Sequence, residues 1–117
     1  MTAIPSAIRL DKSKTELHLD YEQEQYSLSA EYLRVYSPSA EVRGHGVGQE
    51  VLQVGKRAVR IVGVEGVGNY ALKIVFSDGH DSGLYDWAYL HDLALSEPEK
   101  WQQYLQRLTT AGASRDA

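Results

Sequence analysis

Asn69-Tyr-Ala-Leu-Lys-Ile-Val-Phe-Ser-Asp-Gly-His-Asp-Ser-Gly-Leu-Tyr-Asp-Trp87 is the stretch whose reading decides the fold. From Ala71 to Phe76, Leu72, Ile74 and Phe76 fall on one face and Lys73 on the other, the period-two alternation of a half-buried strand. Asp78-Gly79 accepts positive φ, so the spacing predicts a type I′ hairpin turn, with Ser82 to Tyr85 as the return strand. Asp86 has the side chain to cap a helix that begins at Trp87.

Working outward from that hairpin, Gly66-Val-Gly-Asn69 turns the chain into it. Val59 to Val64 is nearly continuous and β-branched, the pattern of a strand covered on both faces. Downstream, Trp87 to about Leu95 carries Trp87, Leu90 and Ala94 at helical spacing. Ser96-Glu-Pro-Glu99 matches a capping box with proline tolerated in the first turn. The helix that follows, 97–111, sets Trp101, Tyr104, Leu105 and Leu108 in one apolar stripe expected to face the sheet. Gly112 ends it, and 113–117 is expected to fray. Upstream, Ala7–Leu10 and Thr15–Tyr21 read as a hairpin and Tyr26-Ser-Leu28 as a third short strand. His18 falls on its polar face. Ser29 caps a short helix from Ala30 to about Tyr36, ended by Pro38. Residues 37–47, with glycines at 44, 46 and 48, form the loosest part of the chain, and Gln49–Val54 a short strand or extended connector. The order of elements predicts an α+β fold: a small, mostly antiparallel β-sheet with a short inserted helix and two C-terminal helices, forming a two-layer sandwich.

At 117 residues the chain suits one domain, assigned to 1–112. Cysteine is absent, which excludes disulfides, thiolate catalysis and cysteine-based zinc sites. A net charge of −4 argues against nucleic-acid binding. Lys56, Arg57 and Arg60, with Arg34 and Arg43, are read as a solvated basic face. No apolar run is long enough to span a bilayer, and Met1 to Arg9 lacks a basic segment followed by an apolar one, so a cytoplasmic protein is expected.

Four histidines raise the question of a metal, but none of their spacings matches a known ligand pattern. His91 reads as a helix-surface residue and His80 as part of the hairpin tip. Gly63-x-x-Gly-x-Gly68 lacks the dinucleotide spacing and leads into a strand, so it reads as a turn. No nucleophile elbow accompanies the serines. The hydroxyls of Tyr36, Tyr70 and Tyr85 are expected around the glycine loop.

Two stretches, Glu31-Tyr-Leu-Arg-Val-Tyr-Ser-Pro-Ser-Ala-Glu-Val42 and Val67 to Trp87, resemble the gamma-butyrobetaine hydroxylase-like N-terminal domain family, over about residues 4–95. The family's domain occurs alone in bacteria, ahead of the oxygenase domain of carnitine-pathway hydroxylases, and on Mrp-type iron–sulfur ATPases. The resemblance implies a stand-alone domain without the oxygenase chemistry. It also implies a structural zinc site whose three cysteines fall here on Ser37, Ser39 and Val42, with the surviving histidine at His80. Serine hydroxyls and a valine cannot replace thiolates, so no zinc and no other cofactor is expected. Hydrogen bonds around Ser37, Ser39, Arg43 and His80 are expected to tie the loop to the hairpin instead.

The expected function is therefore a non-enzymatic accessory or protein-interaction module. Its partner would be an unknown protein, of an iron–sulfur or hydroxylase-type system, rather than nucleic acid or membrane. Tyr36, Arg43, His45, Asp78, His80 and Tyr85 are the candidate loop surface. The alternative is a metal- or small-ligand-binding module using His45, His80, a carboxylate such as Glu41 or Asp81, and the glycine loop.

Overall fold

A computed structural model describes residues 3–44, 48 and 50–116. Six strands and four helices follow one another: β1 (Ala7–Leu10), β2 (Glu16–Asp20), β3 (Gln25–Ser29), α1 (Ala30–Val35), α2 (Ala40–Arg43), β4 (Ile61–Val67), β5 (Ala71–Phe76), β6 (Leu84–Asp86), α3 (Trp87–Leu95) and α4 (Glu97–Ala111). The fold is α+β, and every strand pairing is antiparallel. The strands form two separate three-stranded sheets, β1-β2-β3 and β4-β5-β6, rather than one. A backbone bond from Ile61 N–H to the Lys14 carbonyl, 2.8 Å, links them.

The alternation read in β5 holds: Leu72, Ile74 and Phe76 are buried and Lys73 is not. They join Leu17, Leu19 and Leu28 of the first sheet, Leu33 of α1, and Leu90 and Leu93 of α3 in one core. All six residues of α1 are buried. That helix lies wholly inside the protein, with Ala30, Tyr32 and Leu33 in the main core and Val35 in a second cluster. Burying a helix whole also buries Glu31 and Arg34, so both need partners.

Several local expectations change. The strand read at Val59 begins at Ile61 and keeps one face open, with Val62 half exposed. Residues 50–60 carry no strand. The loop after Pro38 contains the short helix α2, whose cap is the Ser39 hydroxyl accepting from Glu41 N–H. Ser29 and Asp86 cap α1 and α3 as expected, but Ser96 caps nothing with its side chain. It serves as the C-cap of α3, with φ −103° and ψ 11°, so its Oγ turns back to Asp92. Of the α4 stripe, Tyr104 and Leu108 pack on Val35 of α1 and against Leu52, while Trp101 reaches the main core.

Residues 113–116 are docked rather than frayed. Gly55 N–H and Arg57 N–H donate to the carbonyls of Ser114 and Arg115. The Arg115 guanidinium forks onto the buried Glu31 carboxylate at 2.6 and 2.7 Å and lies 5.0 Å over the Trp101 ring. The charge that α1 buries is answered from the far end of the chain. No described helix is long and apolar enough to cross a membrane.

Candidate functional site

The hairpin between β5 and β6 does not close in two residues. Lys73 pairs with Leu84 and Ala71 with Asp86, which leaves residues 77–83 as a loop. Gly79 takes a positive φ of 91°, and its N–H donates to the Phe76 carbonyl, while Phe76 N–H donates to the His80 carbonyl. The chain is drawn inward by its own polar side chains. Asp78 Oδ2 accepts from Arg34 Nε at 2.9 Å and from Lys56 Nζ at 2.7 Å, while Oδ1 accepts from His80 N–H. Arg34 is only 7% exposed. Partial burial alone would push the Asp78 carboxyl up, but Lys56, the His80 N–H and Arg34 outweigh it and hold the acid at about 2. So the cations read as one solvated face are dispersed. Arg34 and Lys56 clamp Asp78, and Arg57 pairs with Asp116.

His80 turns under this loop and is buried. Burial first, then the Arg34 charge, lowers its pKa against the opposing pull of Glu41, so the ring is neutral. A neutral ring with Nδ1 protonated satisfies both neighbours. Nδ1–H donates to Glu41 Oε2 at 3.0 Å, and Nε2 accepts from the Ser37 hydroxyl at 2.8 Å. Ser37 Oγ accepts in turn from Ser39 N–H. Ser39 Oγ and Ser82 Oγ, 2.7 Å apart, make a second bond between α2's N-terminus and the loop. Gly83 sits against this junction. A Cβ there would fall 3.1 Å from Pro38 Cδ and closer still to Ser37 Oγ, so only glycine lets the two segments meet.

Glutamate, histidine and serine in this order have the connectivity of a hydrolytic triad. The serine cannot act as a nucleophile here: Ser37 is 1% exposed and its Oγ is closed in by Gly83 and Pro38. Nor do the residues fit zinc. Two nitrogen or oxygen ligands of a tetrahedral zinc stand on the order of 3.3 Å apart. Ser37 Oγ and His80 Nε2 instead bond directly, and Val42 is a buried apolar side chain. Among the described residues no group of three or more His, Asp or Glu is placed to hold a metal. Packing and hydrogen bonds occupy the positions that the resemblance assigns to ligands.

Of the residues expected on the loop surface, Arg43 is exposed, with its guanidinium 4.6 Å over the Tyr89 ring. Tyr36 is half-buried and donates to the Lys100 carbonyl, 2.6 Å. Tyr85 is fully buried and donates to the Leu33 carbonyl, so it belongs to the core rather than to a surface. Tyr70 is exposed. His45 lies outside the described residues. The expected tie between loop and hairpin exists at Ser37, Ser39 and His80, but Arg43 takes no part in it. Gly83 and Tyr89 were missed, because each draws its role from a neighbour more than 15 positions away.

Beside the tie, a groove of about 440 Å³ runs between the end of α1, α2, residues 50–51 and α3, with Arg107 of α4 at its side. Its floor is Val35 and Val42, both buried.

Residues 8–91 match the family described as gamma-butyrobetaine hydroxylase-like, N-terminal, and the chain belongs to that family. Two NMR solution structures are similar over almost the whole chain. One is 54% identical, with 99% of this chain and 92% of the other covered and a TM-score of 0.88. The second is 47% identical, with 97% and 86% covered and a TM-score of 0.82. A crystal structure of a protein of unknown function of the DUF971 family, from Acidithiobacillus ferrooxidans, is 33% identical over 77% of this chain and 91% of its own, with a TM-score of 0.63. No curated protein shows significant similarity to the chain.

Proposed function

We propose that the protein is a non-enzymatic accessory module of the cytoplasm that works by docking on another protein. The supporting observation is the pre-ordered face that the Ser37–His80–Glu41 tie creates. Glu41, Arg43, Asp81 and Ser82 are exposed on it, and side-chain hydrogen bonds from Ser37, Ser39 and Glu41 to the 80–82 segment tie the two parts of the face together. A surface ordered before binding loses little conformational entropy on association. Arginine stacked on tyrosine, as in Arg43 over Tyr89, is also a side-chain combination enriched where interfaces concentrate their energy. The resemblance points to an iron–sulfur or hydroxylase-type system as the source of the partner.

Co-purification of the tagged chain from its native cell tests this reading. An Arg43→Glu, Asp81→Lys double variant reverses two exposed charges and leaves the Ser37–His80–Glu41 tie in place. It is expected to lose a partner that the wild-type chain retains, with an unchanged circular dichroism spectrum. Retention of every partner by that folded variant would rule this face out as the contact.

A further inference from the structure

The groove beside α2 has a composition of its own. Its floor is apolar, from Val35 and Val42, with the half-exposed Val51 on its lining. Three of the six polar side chains described on its lining are already spent: Ser37 on His80, the Tyr36 hydroxyl on the Lys100 carbonyl, and the Tyr89 hydroxyl on the Tyr36 carbonyl. Glu50 and two guanidinium groups remain among the described residues, that of Arg43 lying over the Tyr89 ring. Arg43 and Arg107 both line the groove, and neither is within salt-bridge distance of a carboxylate among the described residues. Arg9, Arg34, Arg57 and Arg115 each hold an acid, and Arg60, which also holds none among the described residues, does not line the groove. Apolar pockets of 300–1,000 Å³ with a few convergent polar groups are the usual form of a small-molecule site, and this one falls within that range.

We propose that this groove binds a small organic acid, with its hydrocarbon or aromatic body on the valine floor and its carboxylate taken by Arg43 and Arg107. Charge complementarity selects an anion, because the uncommitted polar groups other than Glu50 are cationic forks that match a carboxylate in two-point geometry. The valine floor selects an anion with an apolar body over bare inorganic phosphate. Glu50 on the lining adds one negative charge, which favours a monoanion over a multiply charged ligand. The site does not depend on the protein-contact reading, and its probe differs from that of the partner test.

The test is a titration of the isotopically labelled full chain, followed by amide chemical shifts, with 3-phenylpropionate, its neutral amide 3-phenylpropionamide, and inorganic phosphate. Saturable shifts at Val42, Gly44 and Val51 are expected with the carboxylate. The amide should bind ~10-fold or more weaker, the loss that follows from removing a charge-assisted hydrogen bond. Arg107→Gln, at an exposed position on α4 that leaves the rest of the spectrum in place, should weaken the carboxylate by a similar factor. Equal binding of acid and amide, phosphate binding as tight as the acid, unchanged affinity in Arg107→Gln, or no saturable shift below about 10 mM would each overturn the assignment.

Discussion

The protein has two hairpins of similar sequence character that end in opposite ways. Between β2 and β3, Asp20 pairs with Gln25, and Tyr21 N–H closes on the Glu24 carbonyl at 2.7 Å. Glu22 and Gln23 at that tip are exposed. Between β5 and β6 the tip is longer and its histidine is buried. It touches α1 through Arg34, α2 through Glu41, and residue 37 through a hydroxyl. One tip is a solvated turn and the other is a joint. A short polar turn carries little energy beyond its own closure, whereas a joint that buries polar groups must satisfy nearly all of them.

Removing the carboxylate at 78 should break the second tip most severely. Asp78→Ala leaves Arg34, whose Nη1 already has no partner among the described residues, as an uncompensated buried charge. A loss of roughly 2–4 kcal/mol in a denaturant melt is expected, somewhat below the value for a fully buried pair because Lys56 and Asp78 are partly solvated. Gly83→Ala forces a Cβ onto Ser37 and Pro38 and should cost about 1–3 kcal/mol by the same measurement. Gln23→Ala on the other tip should stay within about 0.5 kcal/mol, and an equal loss at both sites would erase the contrast.

His80→Ala removes one acceptor and one donor from the tie. Ser37 is left buried without its ring partner, while Glu41, mostly exposed, is rehydrated. About 1–2 kcal/mol is therefore expected for His80→Ala and about 1 kcal/mol for Glu41→Ala, which leaves the buried Nδ1–H without its acceptor, and a larger loss in the glutamate variant would invert the proposed hierarchy.

The same joint is sensitive to pH. The His80 pKa is lowered on folding from its ordinary 6.5, so the unfolded chain binds the proton more readily. Its contribution to stability is complete above that value and is lost as pH falls through the folded pKa. Asp78, lowered from 3.8 to about 2, adds a second loss as pH falls from near 4 toward 2. Melting temperature against pH should fall in these two steps, and the upper step should vanish in His80→Ala.

The strand pattern of 71–76 was legible because alternation reports a buried face directly. The caps at Ser29 and Asp86 were legible because a cap is a local hydrogen bond over three residues. The capping box at Ser96 failed because the preceding helix claimed the same residue. Within the candidate site, the tie of residues 37 and 39 to residue 80 was anticipated from the resemblance, while the burial of Arg34 and Tyr85 was not. Arginine and tyrosine occupy surfaces and cores alike, and their partners, Asp78 and the Leu33 carbonyl, lie 44 and 52 positions away.

By itself the sequence determined the types of the longer elements and the mixed class, since periodicity and capping act over a few residues. It also ruled out thiolate chemistry, since there is no cysteine to supply it. Only the tertiary structure decided that the strands part into two sheets, that α1 is buried whole, and that Arg115 returns to neutralise Glu31. Each of these is a pairing across many tens of residues, where burial free energy and charge compensation outweigh anything a local window contains.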